Sequence, residues 1–290
     1  MRIKLYLLIT LIALLTRSIV SLSAKSTRPR IPVIAYFDDW VCIDKPFGLT
    51  VHRSKGTPKH KPVLTTSVKR QLARKVYPVH RLDHRTSGAI LMAFDSSTAG
   101  RLHEAAIKKG NKAYIALLRG EWDRPEETIT VDKPLNVNNV TKDALTKFTL
   151  LATTETGHDD RSSLVLCQPL TGRTHQIRRH AYAIGHPIIG DSQHGDSRVN
   201  RWWRENKGLK RLALHSWKLD FSFDSQNHEL IAPLSLEFQD VLKSTVLWNE
   251  AIQKEPRLEM APIDYRSGTH GRNYRNKNMA EEETFTTTIS

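Results

Sequence analysis

The segment most able to do chemistry is Val79-His80-Arg81-Leu82-Asp83-His84-Arg85-Thr86-Ser87-Gly88, which precedes an apolar run. Asp83 stands among basic neighbours, and nearby positive charge favours the ionised form a carboxylate nucleophile needs. Taken alone, an aspartate beside arginines is equally an ion pair that closes a loop. A second segment, Asn111-Lys112-Ala113-Tyr114-Ile115-Ala116-Leu117-Leu118-Arg119-Gly120, sets Tyr114 among small and apolar residues. Alone it reads as a strand aromatic. The third is Leu170-Thr171-Gly172-Arg173-Thr174-His175-Gln176-Ile177-Arg178-Arg179-His180. It gathers polar and basic groups where a helix begins, a natural place for an anion, and its plain alternative is a solvated basic helix face.

Charge narrows the partner. The 290 residues carry 44 Lys+Arg against 30 Asp+Glu, a net charge of +14. Such an excess points to a polyanion, because each phosphate that is neutralised releases a condensed counterion. The two cysteines, Cys42 and Cys167, lie in apolar segments and read as small buried hydrophobes, with no disulfide framework or zinc knuckle. Among the 13 histidines, His103-Glu104 lacks a second histidine at position 107, so no metal site is expected.

The elements that must position these residues follow from pattern. Short strands are predicted over Pro32–Phe37 and Trp40–Asp44, a turn at Lys45–Gly48, an exposed basic loop over 54–62, a helix over Val68–Lys75 and a buried strand over Gly88–Phe94. A helix capped by Ser96 or Ser97 runs to Lys109 and stops at Gly110. Strands follow at Ala113–Leu118, Lys147–Thr154 and Ser163–Cys167. Thr174 is placed as the cap of a helix whose Ile177, Ala181 and Ile184 share a face and which ends at Gly185. Leu212–Phe223 alternates as a strand, and Ser235–Lys254 forms one amphipathic closing helix. Strands and helices do not alternate regularly, so the expected class is α+β with a largely antiparallel sheet.

The ends read differently. Arg2 and Lys4 precede an uncharged run from Leu5 to Leu15, with small residues at Ser21–Ala24. The run is too short for a stable membrane span and fits a signal-peptide core. A basic, hydroxylated stretch follows and resembles an organelle transit segment. Residues 1–30 are therefore expected to be a targeting segment, 31–250 the catalytic domain and 251–290 a disordered polar tail. A plastid reached through the secretory route is the expected compartment, with the cytoplasm as the alternative.

Together the three segments resemble the pseudouridine synthase family typified by the ribosomal enzyme RluA. His80-Arg81-Leu82-Asp83 with Thr86-Ser87-Gly88 is similar to the family's catalytic motif, Lys112-Ala113-Tyr114 to its tyrosine motif, and Gly172-Arg173-Thr174-His175-Gln176-Ile177-Arg178 to its arginine motif. Asp44–His52 and His186–Asp191 also match, and the order fits over about residues 32–245. Finer features resemble the branch acting on tRNA uridine-65: Val51-His52-Arg53-Ser54, Arg178-Arg179-His180 and Ile189-Gly190-Asp191-Ser192-Gln193-His194-Gly195-Asp196.

The resemblance implies the pseudouridine synthase fold around an RNA-binding cleft. It implies isomerisation of uridine to pseudouridine in structured RNA, with tRNA as the first choice and ribosomal RNA as the second. Asp83 would be the nucleophile, attacking the sugar C1′ or assisting a glycal route. Tyr114 would stack on the uracil and take its C5 proton. Arg178 would pair with Asp83, with Arg173 as the alternative. Arg81 would fill the space of a flipped nucleotide, and His80, Leu82, Arg173, His175 and Gln176 would help to bind substrate. No cofactor is implied, and a monomer with no stable membrane span after processing is expected. The competing reading is a catalytically silent RNA-binding protein on the same fold.

Overall fold

Ser87–Ala93 is buried along its whole length, and it sits in the interior of the sheet. The computed structural model describes residues 30–53, 61–155 and 160–263. Residues 1–29 of the targeting segment, most of the basic loop and the polar tail beyond residue 263 lie outside the described residues. No helix among the described residues is long and apolar enough to cross a membrane.

In chain order the strands are β1 (Val33–Tyr36), β2 (Trp40–Lys45), β3 (Tyr77–Pro78), β4 (Ser87–Ala93), β5 (Asn111–Arg119), β6 (Thr128–Asp132), β7 (Leu135–Val137), β8 (Val140–Lys142), β9 (Leu145–Thr153), β10 (Ser162–Pro169), β11 (Leu214–Phe223) and β12 (Gln226–Ile231). The helices are α1 (Leu64–Leu72), α2 (Ser96–Leu102), α3 (Gln176–Ala183), α4 (Ser197–Asn206), α5 (Leu236–Lys243) and α6 (Leu247–Lys254). The main sheet runs β1-β2-β4-β11-β5-β10-β9-β6, with β3 on β4 and β12 on β11, while β7 and β8 make a separate hairpin. Its pairings are antiparallel except β4 with β11. The class is therefore α+β with a largely antiparallel sheet.

That one parallel contact decides where the chemistry sits. It is short, pairing Ser87 with His215 and Ser216 with Gly88. Tyr114 on β5 pairs with the same Ser216 from the other side. The loop that ends at Ser87 is thus delivered beside Tyr114 through a single β11 residue. Gly88 makes this approach possible: its φ is +110° and a Cβ there would lie 2.1 Å from the Ser216 carbonyl oxygen. Gly88→Ala combines a strained φ with a backbone clash, so a loss of about 3 kcal/mol or more is expected. Urea unfolding of the variant measures it, and an unchanged midpoint would show that the two strands separate freely.

A large apolar cluster packs α3, α4, α5 and α6 against β5, β9, β10 and β11, with Trp203, Trp217, Phe148 and Phe238 buried in it. Two smaller clusters lie around β2 and β4.

Several expected boundaries move, each for a physical reason. The helix expected over Val68–Lys75 is α1, four residues earlier, because Leu64 and Val68 form its buried i, i+4 pair and Ala73 turns left-handed at its end. Asp95, not Ser96 or Ser97, caps α2 by accepting from the Thr98 amide at 2.8 Å, and a carboxylate there also meets the helix dipole. The helix continues to Lys109 in π geometry. The cap position of α3 is held by His175 in a left-handed conformation, not by Thr174, and its side chain makes no capping bond.

The single closing helix is two. The Ser244 and Thr245 hydroxyls donate to the Val241 and Leu242 carbonyls, ending α5 before α6 begins at Leu247. Residues 251–258, expected in the polar tail, belong to the fold: Ala251 and Leu258 are buried in the main core.

Candidate active site

Asp83 lies in the loop between β3 and β4, with its side chain about a quarter exposed at a cleft of about 260 Å³. The cleft brings together residues from three separate parts of the sequence: Asp83 with its neighbours Arg81 and Leu82, Tyr114 and Lys112 on β5, and the Thr171–Arg178 turn. One Asp83 oxygen accepts from Arg178 Nη1 at 3.2 Å and lies 3.5 Å from His175 Nε2. The nucleophile candidate therefore has a cation on one side and a neutralisable imidazole on the other. Burial lowers the His175 pKa, and the neighbouring Asp83 works in the opposite direction.

Arg178 is nearly fully buried and is held rigidly from behind. Its Nε and Nη2 donate to the two carboxylate oxygens of Asp191 at 2.7 and 2.8 Å, and Nη2 also donates to Gln193 Oε1 at 3.0 Å. The fork is thus shared, with two nitrogens fixed to the scaffold and Nη1 left for Asp83. Asp191 in turn accepts from the Gln193 and His194 amides at 2.9 and 3.1 Å. Burial alone would raise the Asp191 pKa, but the Arg178 and amide hydrogen bonds overcome it and bring the group down to about 2. Gly190, at φ +81° and against the Arg211 carbonyl, lets the chain turn into this position. Asn200 clasps the turn, accepting from the Gly190 amide at 2.6 Å and donating to the Asp191 carbonyl at 2.8 Å.

Lys45 is fully buried behind the loop, where its ammonium donates to the carbonyls of Leu49 at 2.8 Å, Pro46 at 3.1 Å and His84 at 3.4 Å. It ties the Lys45–Gly48 turn to the residue that follows Asp83. Burial and the Arg211 charge bring its pKa down to about 7, while Asp83 pulls it upward.

Tyr114 lines the cleft, packed against two of the apolar clusters. Burial, aided by the Asp83 charge and opposed by a hydrogen bond with Ser216, pushes its phenol up to about 12. It is a neutral hydroxyl near pH 7, able to stack on a flat ring and to exchange a proton only in concert with a partner.

The remaining sequence-selected residues divide into those free for a ligand and those committed to the fold. Arg81 is exposed at the rim, and Leu82 is buried on the cleft wall. Arg173 is half-buried and donates Nε to the Asp143 carbonyl at 2.8 Å, with no ion pair to Asp83. His80 accepts from the Leu91 amide at 3.1 Å, and burial takes its pKa down to about 3, so the neutral ring anchors the loop to β4. Gln176 is buried and fully engaged: its Oε1 accepts from the Thr171 hydroxyl and the Arg173 amide, and its Nε2 donates to the Leu145 carbonyl and the Thr146 hydroxyl. Its geometry is that of a brace for the arginine loop, with nothing left over for substrate. Asp191, Gln193 and Lys45 were not selected from sequence, although each lies in or next to a motif-like run. A buried arginine needs a buried carboxylate, and Asp191 is the one that the fold supplies.

The family model described as RNA pseudouridylate synthase matches residues 39–183, a stretch that contains Asp83, Tyr114 and Arg178. This chain belongs to that family. The tRNA pseudouridine synthase C of Salmonella typhi is 35% identical over 257 residues, covering 82% of this chain and 98% of that protein. The protein of the same name from Vibrio parahaemolyticus is 32% identical over 222 residues, covering 70% and 90%. Among solved structures, Human RNA Pseudouridylate Synthase Domain Containing 1 aligns with a TM-score of 0.57 at 26% identity, covering 71% of this chain and 84% of that one. Human RNA Pseudouridylate Synthase Domain Containing 4, at 23% identity and a TM-score of 0.58, shares the fold. The protein is thus a pseudouridine synthase, an isomerase whose substrate is RNA.

Proposed function

We propose that this pseudouridine synthase acts on tRNA, at a site like uridine-65, with Asp83 as nucleophile, Arg178 as its orienting cation and Tyr114 as the stacking and proton-transferring group. The observation that carries the reading is the Asp83–Arg178–Asp191 chain, which orients the Asp83 carboxylate at the mouth of a cleft faced by a neutral phenol. The likeness over most of the chain to proteins named tRNA pseudouridine synthase C supports the choice of RNA.

The target base must leave its stack to reach the cleft, at a cost of a few kcal/mol. Arg81, exposed at the rim, fills the space that is left, since a planar cation stacks and meets phosphate together. Asp83 then drives glycosidic cleavage, by attack on C1′ or through a glycal. The uracil turns between Tyr114 and the Arg173–His175 turn and rejoins through C5, and Tyr114 takes the C5 proton. The chain works as a monomer, and residues 1–30 direct it to an organelle.

A map of pseudouridine in total tRNA and ribosomal RNA, with and without the gene, tests the substrate. Loss of one tRNA position that wild type restores and Asp83→Ala does not is expected. Loss confined to ribosomal RNA would overturn the tRNA assignment. Loss in neither would point to a messenger RNA target or to the silent binding protein. Tyr114→Phe keeps the ring and removes the hydroxyl, so a fall of about 10²–10⁴ in kcat with KM little changed is expected. Release of the C5 hydrogen from labelled RNA reads this step directly, and normal release in the variant would remove Tyr114 from proton transfer.

A further inference from the structure

Helix α4 carries three guanidinium groups that the fold does not use. Arg198, Arg201 and Arg204 are exposed and spaced three residues apart, so they lie along one flank of the helix. None of the three has an ion pair or a side-chain hydrogen bond among the described residues, whereas Arg101, Arg119, Arg178 and Arg257 are all paired. Asp196, whose field reaches Arg198, is already engaged: it caps α4 through the Arg198 and Val199 amides and pairs with Arg119 at 3.2 Å. Glu205 is the one acidic side chain within α4, and it makes no ion pair with Arg201.

The opposite flank is fixed. Trp203 is buried, Val199 and Trp202 pack on the main core, and Asn200 clasps the Gly190–Asp191 turn that anchors Arg178. The three arginines are therefore rigidly joined to the catalytic arginine through one short segment. From Arg198 to Arg204 the helix rises about 9 Å, enough to meet two or three phosphates of one strand, given roughly 3.4 Å of rise per nucleotide. Phosphate suits arginine, because the planar fork binds its oxygens in pairs. No exposed aromatic or aliphatic side chain lies between the arginines to suit a membrane surface.

We propose that the Arg198–Arg201–Arg204 flank binds the sugar–phosphate backbone of the substrate RNA away from the target nucleotide, setting the register of a folded RNA on the enzyme. The inference rests on the reading of a structured RNA substrate. It assigns to α4 a task in binding and none in the chemical step.

The test is the triple variant Arg198→Gln/Arg201→Gln/Arg204→Gln, assayed with a tRNA transcript for kinetics and for binding across a salt series. KM should rise about tenfold or more with kcat within about twofold. The slope of log K against log salt should fall by about 2, since each lost phosphate contact removes roughly 0.7–0.9. The corresponding triple lysine variant should keep the slope. Unchanged KM and slope in the glutamine variant would overturn the proposal. If wild type makes no pseudouridine in the transcript, the tRNA reading fails, and the binding slopes still decide whether this flank holds RNA.

Discussion

Asp83→Asn is expected to lower pseudouridine formation by at least about a thousandfold, the scale seen when a catalytic nucleophile is removed, with little change in thermal midpoint. The amide keeps the shape of the side chain and can still accept from Arg178 Nη1, which lies 3.2 Å from one Asp83 oxygen. It loses the negative charge and, with it, the ability to attack or to stabilise a developing cation at C1′. Stability should change little because the side chain is partly exposed and because Arg178 retains its bidentate partner Asp191. Single-turnover conversion of a tRNA transcript measures the first part and calorimetry the second. Substantial turnover by a freshly purified variant, with a mass spectrum that excludes reversion of the amide to acid, would remove Asp83 from the chemistry. A collapse of both activity and midpoint would show that Asp83 holds the loop together instead.

The sequence was most legible where one residue type has one use. Buried strands such as β4 and β10 read directly from apolar runs, and the three chemical segments carry rare side chains in a fixed order. The fold then had to bring them together, and the device that does so is not visible in the sequence. The parallel contact of β4 with β11 joins Ser87 and Gly88 to His215 and Ser216, residues far apart in the chain, and in the sequence only the glycine at position 88, which takes a positive φ, hints at it.

Other misses have local causes. Helix α4 offers only Val199, Trp202 and Trp203 as apolar residues, so it reads as a charged segment although its apolar and basic residues fall on opposite faces. Strands β6, β8 and β12 are largely exposed and polar, and the hairpin β7–β8 turns through Asn138 and Asn139 in left-handed conformations. In the site, Gln176 and His80 have side chains that suit substrate contact, yet burial gives both to the scaffold. Asp191 shows the reverse case: it reads as one more polar residue of a turn until the burial of Arg178 requires a counter-charge.

That requirement leads to the largest expected effect on stability. Asp191 and Arg178 are both nearly completely buried, joined at 2.7 and 2.8 Å. Asp191→Asn leaves the guanidinium buried with only the partly exposed Asp83 as a charged partner, so a loss of about 3–5 kcal/mol is expected. Activity should fall with it, because Arg178 is no longer held toward Asp83. The same pair shapes the acid limb of stability. The folded-state pKa of Asp191 lies at about 2, below its ordinary 3.8, so its contribution is fully present above about pH 4 and is lost as pH falls through 2. In Asp191→Asn that part of the acid dependence should be missing.

The double variant Arg178→Met/Asp191→Leu separates the two roles of the pair. Well-packed apolar replacements for a buried ion pair are often neutral or stabilising, so most of the lost stability should return. Pseudouridine formation should stay lost, because Asp83 then has no cation to orient it. Recovery of activity together with stability would mean that the Arg178–Asp191 pair serves only to hold the loops, and that Asp83 reaches its working geometry without Arg178.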